Sequence, residues 1–263
     1  MKFTDQMQRE ITLDHIPKRI ISIVPSQTEL LADLGLEKEV IGITKFCIYP
    51  MDWFRTKERV GGTKAISIEK IKSLKPDLVI GNKEENDKTQ VEALMQTEKV
   101  WMSDIKTLGD ACDMIRRVGE LAQKKEKAEG FAHQIEQGFS LFRKKIENFP
   151  KRRVVYFIWK NPFMVAGSET FIDHMLGICG LENIFAKKGR YPEVTLDELA
   201  KQNPEVIFLS SEPYPFREKH LAELQHAFPN AKVRLVDGEL FSWYGTRLLK
   251  SPDYFYEVLS SLC

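Results

Sequence analysis

Two stretches of the chain repeat the same order of apolar, acidic and proline positions. Residues 68–80 (IEKIKSLKPDLVI) match residues 196–208 (LDELAKQNPEVIF) position by position. In each stretch the apolar spacing predicts a short amphipathic helix, the proline ends it, and the final apolar run predicts a buried strand. Two such units predict two similar lobes. Because pockets favour domain interfaces, we expect the function to lie in the cleft between them.

The first part of the chain alternates between predicted strands and predicted helices. Ser26-Gln27-Thr28-Glu29 matches the capping box S-x-x-E, so Ser26 is the expected N-cap of a helix that Gly35 ends. The predicted strands are residues 20–24, 40–44, 78–81 and 100–102, and the predicted helices are residues 26–34, 67–74 and 88–96. This alternation predicts a mostly parallel sheet with helices on its faces.

From residue 107 to residue 149 the apolar spacing becomes helical throughout. A break near Gln123 would leave residues 124–147 as one helix about 36 Å long, stiff enough to connect two lobes. The second half repeats the alternation, with strands at residues 154–158 and 232–236, helices at residues 168–178 and 218–227, the repeated unit at residues 195–209, and a closing helix after Ser251-Pro252. The predicted fold class is therefore α/β, with two lobes of mostly parallel sheet joined by a long rigid helix. The predicted boundaries are residues 1–106, 107–149 and 150–263.

Composition and charge exclude several classes of partner. The 263 residues carry a formal net charge of +1, which argues against nucleic acid or an anionic membrane surface as a partner. No run of about 18 apolar residues is present, so we expect no membrane insertion. The first 19 residues lack the apolar core of a signal peptide. We therefore expect a cytoplasmic monomer, or a periplasmic or lipid-anchored protein if a leader is removed.

The sequence lacks the common catalytic and metal-binding motifs. No G-x-S-x-G, phosphate-binding glycine loop or C-x-x-C pair occurs, so Ser26 and Ser168 are expected helix caps and the four cysteines free buried thiols. The first lobe offers only His15, His174 lies in an apolar string, and His220 and His226 are expected surface residues on a charged helix. We predict no catalytic residue, no metal site and no intrinsic cofactor.

Loops that follow predicted strands carry many aromatic and polar residues. Ligands of open α/β sheets bind outside the carboxyl ends of the strands, so these loops are the candidate ligand-binding site. The expected ligand-binding residues are Phe46, Tyr49, Asn82, Glu85, Asn86, Trp159, Asn161, Phe163, Glu212, Tyr214, Phe216, Trp243, Tyr244 and Arg247. Rings would supply contact area to a large, flat, partly apolar ligand, and the polar groups would orient it. Core packing remains the alternative for any single ring.

Glu69 and Asp197 hold equivalent positions in the repeat. Each follows an expected N-cap, Ser67 or Thr195, and an acid in the first turn interacts favourably with the helix dipole. The alternative is a pair of docking points, one on each lobe, for a partner with basic residues.

The chain resembles the substrate-binding proteins of cobalamin and iron-chelate ABC importers, which have a helical backbone between two lobes. The similarity rests on PKRIISIVPSQTELLADLGL (17–36), KPDLVIG (75–81), ENIF (182–185) and the long central helix. It implies a cleft that holds the ligand with little lobe closure. It also implies that acids at the positions of Glu69 and Asp197 dock onto arginines of the permease.

Two functional hypotheses follow. The first is a non-catalytic binding protein for a corrinoid such as cobalamin, or for a related metal chelate such as haem or a ferric siderophore, with an ABC permease as partner. The second is a cytoplasmic enzyme or corrinoid-handling factor that uses the same cleft, with Glu85 or Glu212 as acid or base. Strongly raised carboxyl pKa values would favour the second hypothesis.

Overall fold

The first sheet has five parallel strands, and its central strands are buried on both faces. The computed structural model describes residues 1–262, and its first elements are β1 (Lys2–Thr4), β2 (Glu10–Thr12), β3 (Ile20–Ser22), α1 (Pro25–Asp33), β4 (Val40–Ile43), α2 (Met51–Thr56), β5 (Glu58–Arg59), α3 (Ile68–Ser73), β6 (Leu78–Asn82), α4 (Lys88–Met95), β7 (Val100–Ser103) and α5 (Leu108–Leu121). The strand order is β5-β4-β3-β6-β7. β1 and β2 pair as a separate antiparallel hairpin. The predicted parallel sheet is confirmed.

The second sheet, like the first, is built around parallel strands. After α6 (Lys125–Lys145) the elements are β8 (Arg153–Trp159), β9 (Met164–Val165), α7 (Phe171–Ile178), β10 (Glu182–Asn183), α8 (Leu196–Gln202), β11 (Val206–Ser210), α9 (Glu218–Ala227), β12 (Lys232–Val236), α10 (Gly238–Ser242), a 3-10 helix (Thr246–Leu249) and α11 (Ser251–Ser260). The order is β10-β8-β11-β12, all parallel, with β9 antiparallel to β8. The predicted two-lobed α/β fold class is therefore confirmed.

The sequence repeat corresponds to a structural repeat. α3–β6 and α8–β11 are the two copies, and each strand pairs with the first long strand of its sheet, β3 or β8. The residue before each proline adopts a left-handed conformation, with φ 47° at Lys75 and φ 46° at Asn203. The acid after each proline accepts a hydrogen bond at the start of the neighbouring strand. Asp77 accepts from Arg19 N–H, just before β3, at 3.0 Å, and Glu205 accepts from Arg153 N–H, the first residue of β8, at 2.8 Å.

The helical segment is interrupted where the sequence predicted. Gln123 has φ 52°, and it separates α5 from α6. The chain divides into two compact units, and the division falls inside α6 rather than at Gln123. The first comprises Met1–Ile105, Gly109–Glu136 and Trp243–Leu249, and the second comprises Lys106–Leu108, Gln137–Ser242 and the chain from Lys250 onward. Compared with the predicted boundaries, the connecting segment 107–149 is divided between the two units, and the late segment Trp243–Leu249 belongs to the first unit.

Two predicted helix caps are wrong. α1 begins at Pro25 with Val24 as its N-cap, and no side chain caps it. Ser26 therefore lies inside the helix, because proline is well suited to the first helical position. α7 begins after Thr170, whose hydroxyl accepts a hydrogen bond from Asp173 N–H. Ser168 instead donates its hydroxyl hydrogen bond to Lys188 O at 3.2 Å.

Candidate ligand-binding loops

In the first unit, three predicted ligand-binding residues lie together. Arg247 places its guanidinium carbon 4.5 Å from the centre of the Tyr49 ring and 4.6 Å from that of Trp243. The two rings meet edge to face, with centres 6.0 Å apart. The guanidinium also donates two hydrogen bonds to the Glu29 carboxylate, at 2.9 Å and 2.7 Å. Glu29 was expected to cap a helix, and no sequence pattern linked it to a residue so distant in the chain.

The loop after β4 exposes a group of apolar side chains. Phe46 is 50% exposed and Tyr49 is 37% exposed, and Ile48 and Met51 beside them are also exposed. The Phe46 ring lies against the backbone of Gly62, where an added Cβ would be 3.1 Å from the ring. Trp243 and Tyr244, also predicted to bind the ligand, are 7% and 5% exposed. These two rings are therefore largely packed inside the protein.

Asn82 and Asn86 shape their own loop rather than presenting their amides to solvent. Asn82 Oδ1 accepts hydrogen bonds from Glu84 N–H and Glu85 N–H, and its Nδ2 donates to Ser103 Oγ at 2.9 Å. Asn86 Oδ1 accepts from Asn82 N–H, and its Nδ2 donates to backbone oxygens of Ile23 and Thr63. Both side chains are buried, so the expected role in orienting a ligand is replaced by a role in holding the loop.

Glu85 lies at the tip of that loop and is half-buried. Desolvation raises the pKa of its carboxyl group, and the neighbouring Glu84 charge raises it further, while Lys64 opposes the shift. A carboxyl group with a raised pKa is protonated over a wider pH range, so it can donate a hydrogen bond as well as accept one.

In the second unit, aromatic rings run from an exposed edge into the core. Trp159, at the end of β8, is 40% exposed, and its ring centre is 5.6 Å from that of Tyr214. Tyr214 in turn contacts Phe216 at 4.8 Å. Phe216 is 5% exposed and belongs to the core, with Phe163 and Tyr214 packed against it. The core packing of Phe216 leaves Trp159 and Tyr214 as the rings of this group best placed to meet a ligand.

The remaining predicted residues of the second unit are polar. Asn161 is exposed and has φ 69°. Glu212 accepts a hydrogen bond from Ser242 Oγ at 3.0 Å, which connects the loop after β11 to α10. Lys160, beside Phe163, forms an ion pair with Glu223.

His220 is buried rather than on the surface, which corrects the sequence-based expectation. It is 5% exposed, because its ring packs 5.5 Å from both Tyr214 and Phe216. Its Nδ1 accepts a hydrogen bond from Arg217 N–H at 3.0 Å, so Nε2 carries the proton and lies 3.4 Å from Tyr214 Oη. Desolvation lowers the pKa of this imidazole, and Lys160 and Lys219 lower it further, while Glu223 opposes them.

The free energy of unfolding is expected to fall as the pH is lowered through about 6.5, because His220 has a lower pKa in the folded protein than in the unfolded chain. The unfolded state then binds more protons. Replacing His220 with glutamine leaves a neutral side chain that still accepts a hydrogen bond from Arg217 N–H. Urea unfolding at pH 7.5 and pH 5.5 should show a smaller decrease for His220→Gln than for the unmodified protein, and equal decreases would contradict the assignment.

Glu69 and Asp197 are both exposed in the first turns of equivalent helices. Ser67 and Thr195 cap these helices by accepting hydrogen bonds from Lys70 N–H and Glu198 N–H. In the second copy the acid that completes the capping box is Glu198. Neither Glu69 nor Asp197 is required for these side-chain caps.

Other features bear on the classes of function considered above. Within residues 1–262, no group of three or more histidine, cysteine, aspartate or glutamate residues is arranged to hold a metal ion. No helix in the same part of the chain is long and apolar enough to cross a membrane. Cys47, Cys112 and Cys179 are buried free thiols, as predicted, whereas Cys263 lies outside the described residues.

The chain belongs to the periplasmic binding protein family, whose model matches residues 20–231. It is 28% identical over 195 residues to the vitamin B12-binding protein of Vibrio vulnificus, covering 73% of this chain and 71% of that protein. It is 26% identical to an uncharacterized ABC transporter substrate-binding lipoprotein of Bacillus subtilis, covering 97% and 84% of the two chains. The crystal structure of the periplasmic vitamin B12-binding protein of Vibrio cholerae superposes with a TM-score of 0.83, at 25% identity, covering 94% of this chain and 98% of that one.

Proposed function

We propose that this chain is the substrate-binding component of an ABC importer and that it binds a cobalamin-like corrinoid without transforming it. The observation that carries the proposal is that each unit exposes an aromatic ring at or just beyond the carboxyl end of one of its parallel strands. Tyr49 occupies this position in the first unit and Trp159 in the second. The structural likeness to a vitamin B12-binding protein supports this ligand class.

The chemistry of the loops suits a large ligand with apolar faces and neutral polar groups. Burying about 400 Å² of apolar surface at roughly 25 cal/mol per Å² is worth on the order of 10 kcal/mol before the cost of association. Two of the cations beside the rings, Arg247 and Lys160, are already paired with Glu29 and Glu223, while Lys45 lies over the Phe46 ring. This pairing favours a ligand edged with amides, such as a corrinoid, over one that depends on carboxylates, such as haem.

A spectral titration tests the ligand class. Purified protein mixed separately with cyanocobalamin, hemin and a ferric hydroxamate chelate should show saturable binding to cyanocobalamin. Preference for hemin or the ferric chelate would overturn the corrinoid assignment and keep the binding function. An absence of binding to all three would overturn both.

Trp159→Leu is expected to weaken binding of cyanocobalamin about fivefold or more, because loss of a ligand-contacting aromatic ring typically costs about 1 kcal/mol or more. Tyr256→Leu is the matched control, since Tyr256 is 39% exposed, against 40% for Trp159, but lies on α11. Isothermal titration calorimetry with cyanocobalamin measures the affinity of both variants and of the unmodified protein. Equal affinities for Trp159→Leu and the unmodified protein would remove Trp159 from the site.

We propose that Glu69 and Asp197 are the docking points for the permease of the importer. Both are exposed, both lie in the first turn of a repeated helix, and the side-chain caps of these helices use other residues. Asp197 is one methylene shorter than Glu69, so the second contact has less reach. A bacterial location outside the cytoplasmic membrane belongs to the same proposal, because the permease receives its substrate there.

A second candidate function, an enzyme or corrinoid-handling factor, is favoured by one observation. Desolvation raises the pKa of Glu85, and a raised carboxyl pKa makes the group a better general acid. Mass spectrometry of the chelate after prolonged incubation with the protein tests this candidate. Recovery of an unchanged chelate from both the unmodified protein and Glu85→Gln would exclude it.

A further inference from the structure

The segment Trp243–Leu249 packs against α1 within the first unit. Gly245 lies against the first turn of α1, where an added Cβ would be 2.6 Å from Ser26 O. Thr246 donates its hydroxyl hydrogen bond to the Asp33 carboxylate, and Leu248 is fully buried. The segment therefore has a defined position on α1, and this position brings Arg247 to Glu29.

The pairing of Arg247 with Glu29 fixes the plane of the guanidinium group. Two nitrogen atoms, Nε and Nη2, each donate to a different oxygen of the same carboxylate. Such two-point pairing constrains orientation as well as distance. The two side chains are only 11% and 16% exposed, so the pair is shielded from most of the solvent.

The oriented guanidinium contacts two aromatic rings that differ in exposure. Tyr49 is 37% exposed, whereas Trp243 is 7% exposed. Their ring centres lie at almost equal distances from the guanidinium carbon, 4.5 Å and 4.6 Å. A planar cation that stacks on rings holds them in a way that a lysine ammonium does not reproduce. The partly exposed Tyr49 ring thus packs against two side chains that are themselves largely buried, Arg247 and Trp243.

We propose that Glu29 and Arg247 are positioning residues that hold Tyr49 and Trp243 in their ligand-binding arrangement before the ligand arrives. The inference rests on the proposed binding function. It adds Glu29, which was not among the predicted ligand-binding residues and which accepts hydrogen bonds from one of them, Arg247. Pre-organised rings increase affinity, because less conformational entropy is lost on binding. The competing arrangement is a direct hydrogen bond from Arg247 to the ligand.

Glu29→Gln and Arg247→Lys distinguish the two arrangements. If the pair positions the rings, each variant should bind cyanocobalamin about fivefold to thirtyfold more weakly, because the freed Tyr49 and Trp243 side chains must then be ordered when the ligand binds. The double variant should be no weaker than the weaker single variant, because both changes remove the same unit. Glu29→Asp keeps the charge but has a shorter side chain, so it cannot pair with Arg247 in the same geometry. It replaces Glu29→Gln in this comparison if Glu29→Gln does not fold.

A second measurement does not depend on the ligand. Near-UV circular dichroism of the ligand-free protein should change in both Glu29→Gln and Arg247→Lys, since Tyr49 and Trp243 lose their fixed geometry. Arg116→Lys is the matched control, because Arg116 pairs with Glu129 and Glu136 in the same unit. This control should retain both the spectrum and the affinity.

Two results would overturn the inference. Unchanged affinity in Glu29→Gln together with weakened affinity in Arg247→Lys would show that Arg247 contacts the ligand directly. Unchanged near-UV spectra in both variants would show that the Glu29–Arg247 pair does not hold the Tyr49 and Trp243 rings in place. If the unmodified protein binds none of the three chelates, the proposed function fails, while the spectral comparison still decides whether the pair positions the rings.

Discussion

Replacing Phe255 with alanine is expected to lower the free energy of unfolding of the second unit by about 3–5 kcal/mol. Phe255 is fully buried. Its ring centre lies 4.4 Å from that of Phe241, 6.0 Å from that of Phe142 and 6.3 Å from that of Phe139. Three large rings cannot all move into the space that the substitution creates, so most of the cavity should remain.

The neighbouring residue Tyr256 provides the control for this prediction. It lies on the same helix but is 39% exposed, so Tyr256→Ala should change the unfolding free energy by about 1 kcal/mol or less. Urea unfolding monitored by far-UV circular dichroism measures both variants. A loss below about 2 kcal/mol in Phe255→Ala would show that the surrounding helices collapse into the cavity.

Reversing both repeated acids, with Glu69→Lys and Asp197→Lys, is expected to weaken the complex with the transporter at least a hundredfold. A single charged group lost from an interface pair costs about 2–5 kcal/mol, and reversal adds repulsion from basic residues on the permease. Affinity for cyanocobalamin should stay within about twofold, because both acids are exposed and neither is among the predicted ligand-binding residues.

The measurement uses the permease–ATPase complex of the proposed importer, reconstituted in nanodiscs and titrated with labelled protein. Glu92→Lys with Glu218→Lys is the matched control. It produces the same change in net charge, with one exposed acid in each unit, on helices outside the repeat. Equal losses of affinity for the transporter in the two double variants would show that the effect comes from overall charge. Unchanged affinity in both would show that the docking surface lies elsewhere.

Much of the architecture could be predicted because it depends on local patterns. Buried β-branched runs indicated the central strands, and the repeat indicated two equivalent helix–strand units, both present as α3–β6 and α8–β11. The interruption near Gln123 was also predicted, and its left-handed conformation separates α5 from α6. Element ends were less accurate: Ser26 failed as a cap because Pro25 had already started the helix.

The candidate site was harder to predict, since residue type does not reveal the direction of a side chain. Asn82, Asn86 and Phe216 have the composition of binding residues, but their hydrogen bonds and packing are internal. His220 resembled a surface histidine on a charged helix, yet its ring packs against Tyr214 and Phe216. Some partners are distant in the chain, such as Ser103 for Asn82 and Ile23 for Asn86. Others are close in the chain, such as Tyr214 and Arg217 for His220, but residue type does not show that the side chains turn towards each other.

The sequence by itself determined the class of fold, the twin helix–strand units and the loops that carry aromatic residues, because these follow from periodicity and turn chemistry between near neighbours. Only the tertiary structure decided which rings remain exposed and that Arg247 pairs with Glu29, which is 218 residues away along the chain. Such a pair depends on where the late segment Trp243–Leu249 packs. That position results from the summed burial and hydrogen bonding of the whole first unit, and no local pattern specifies it.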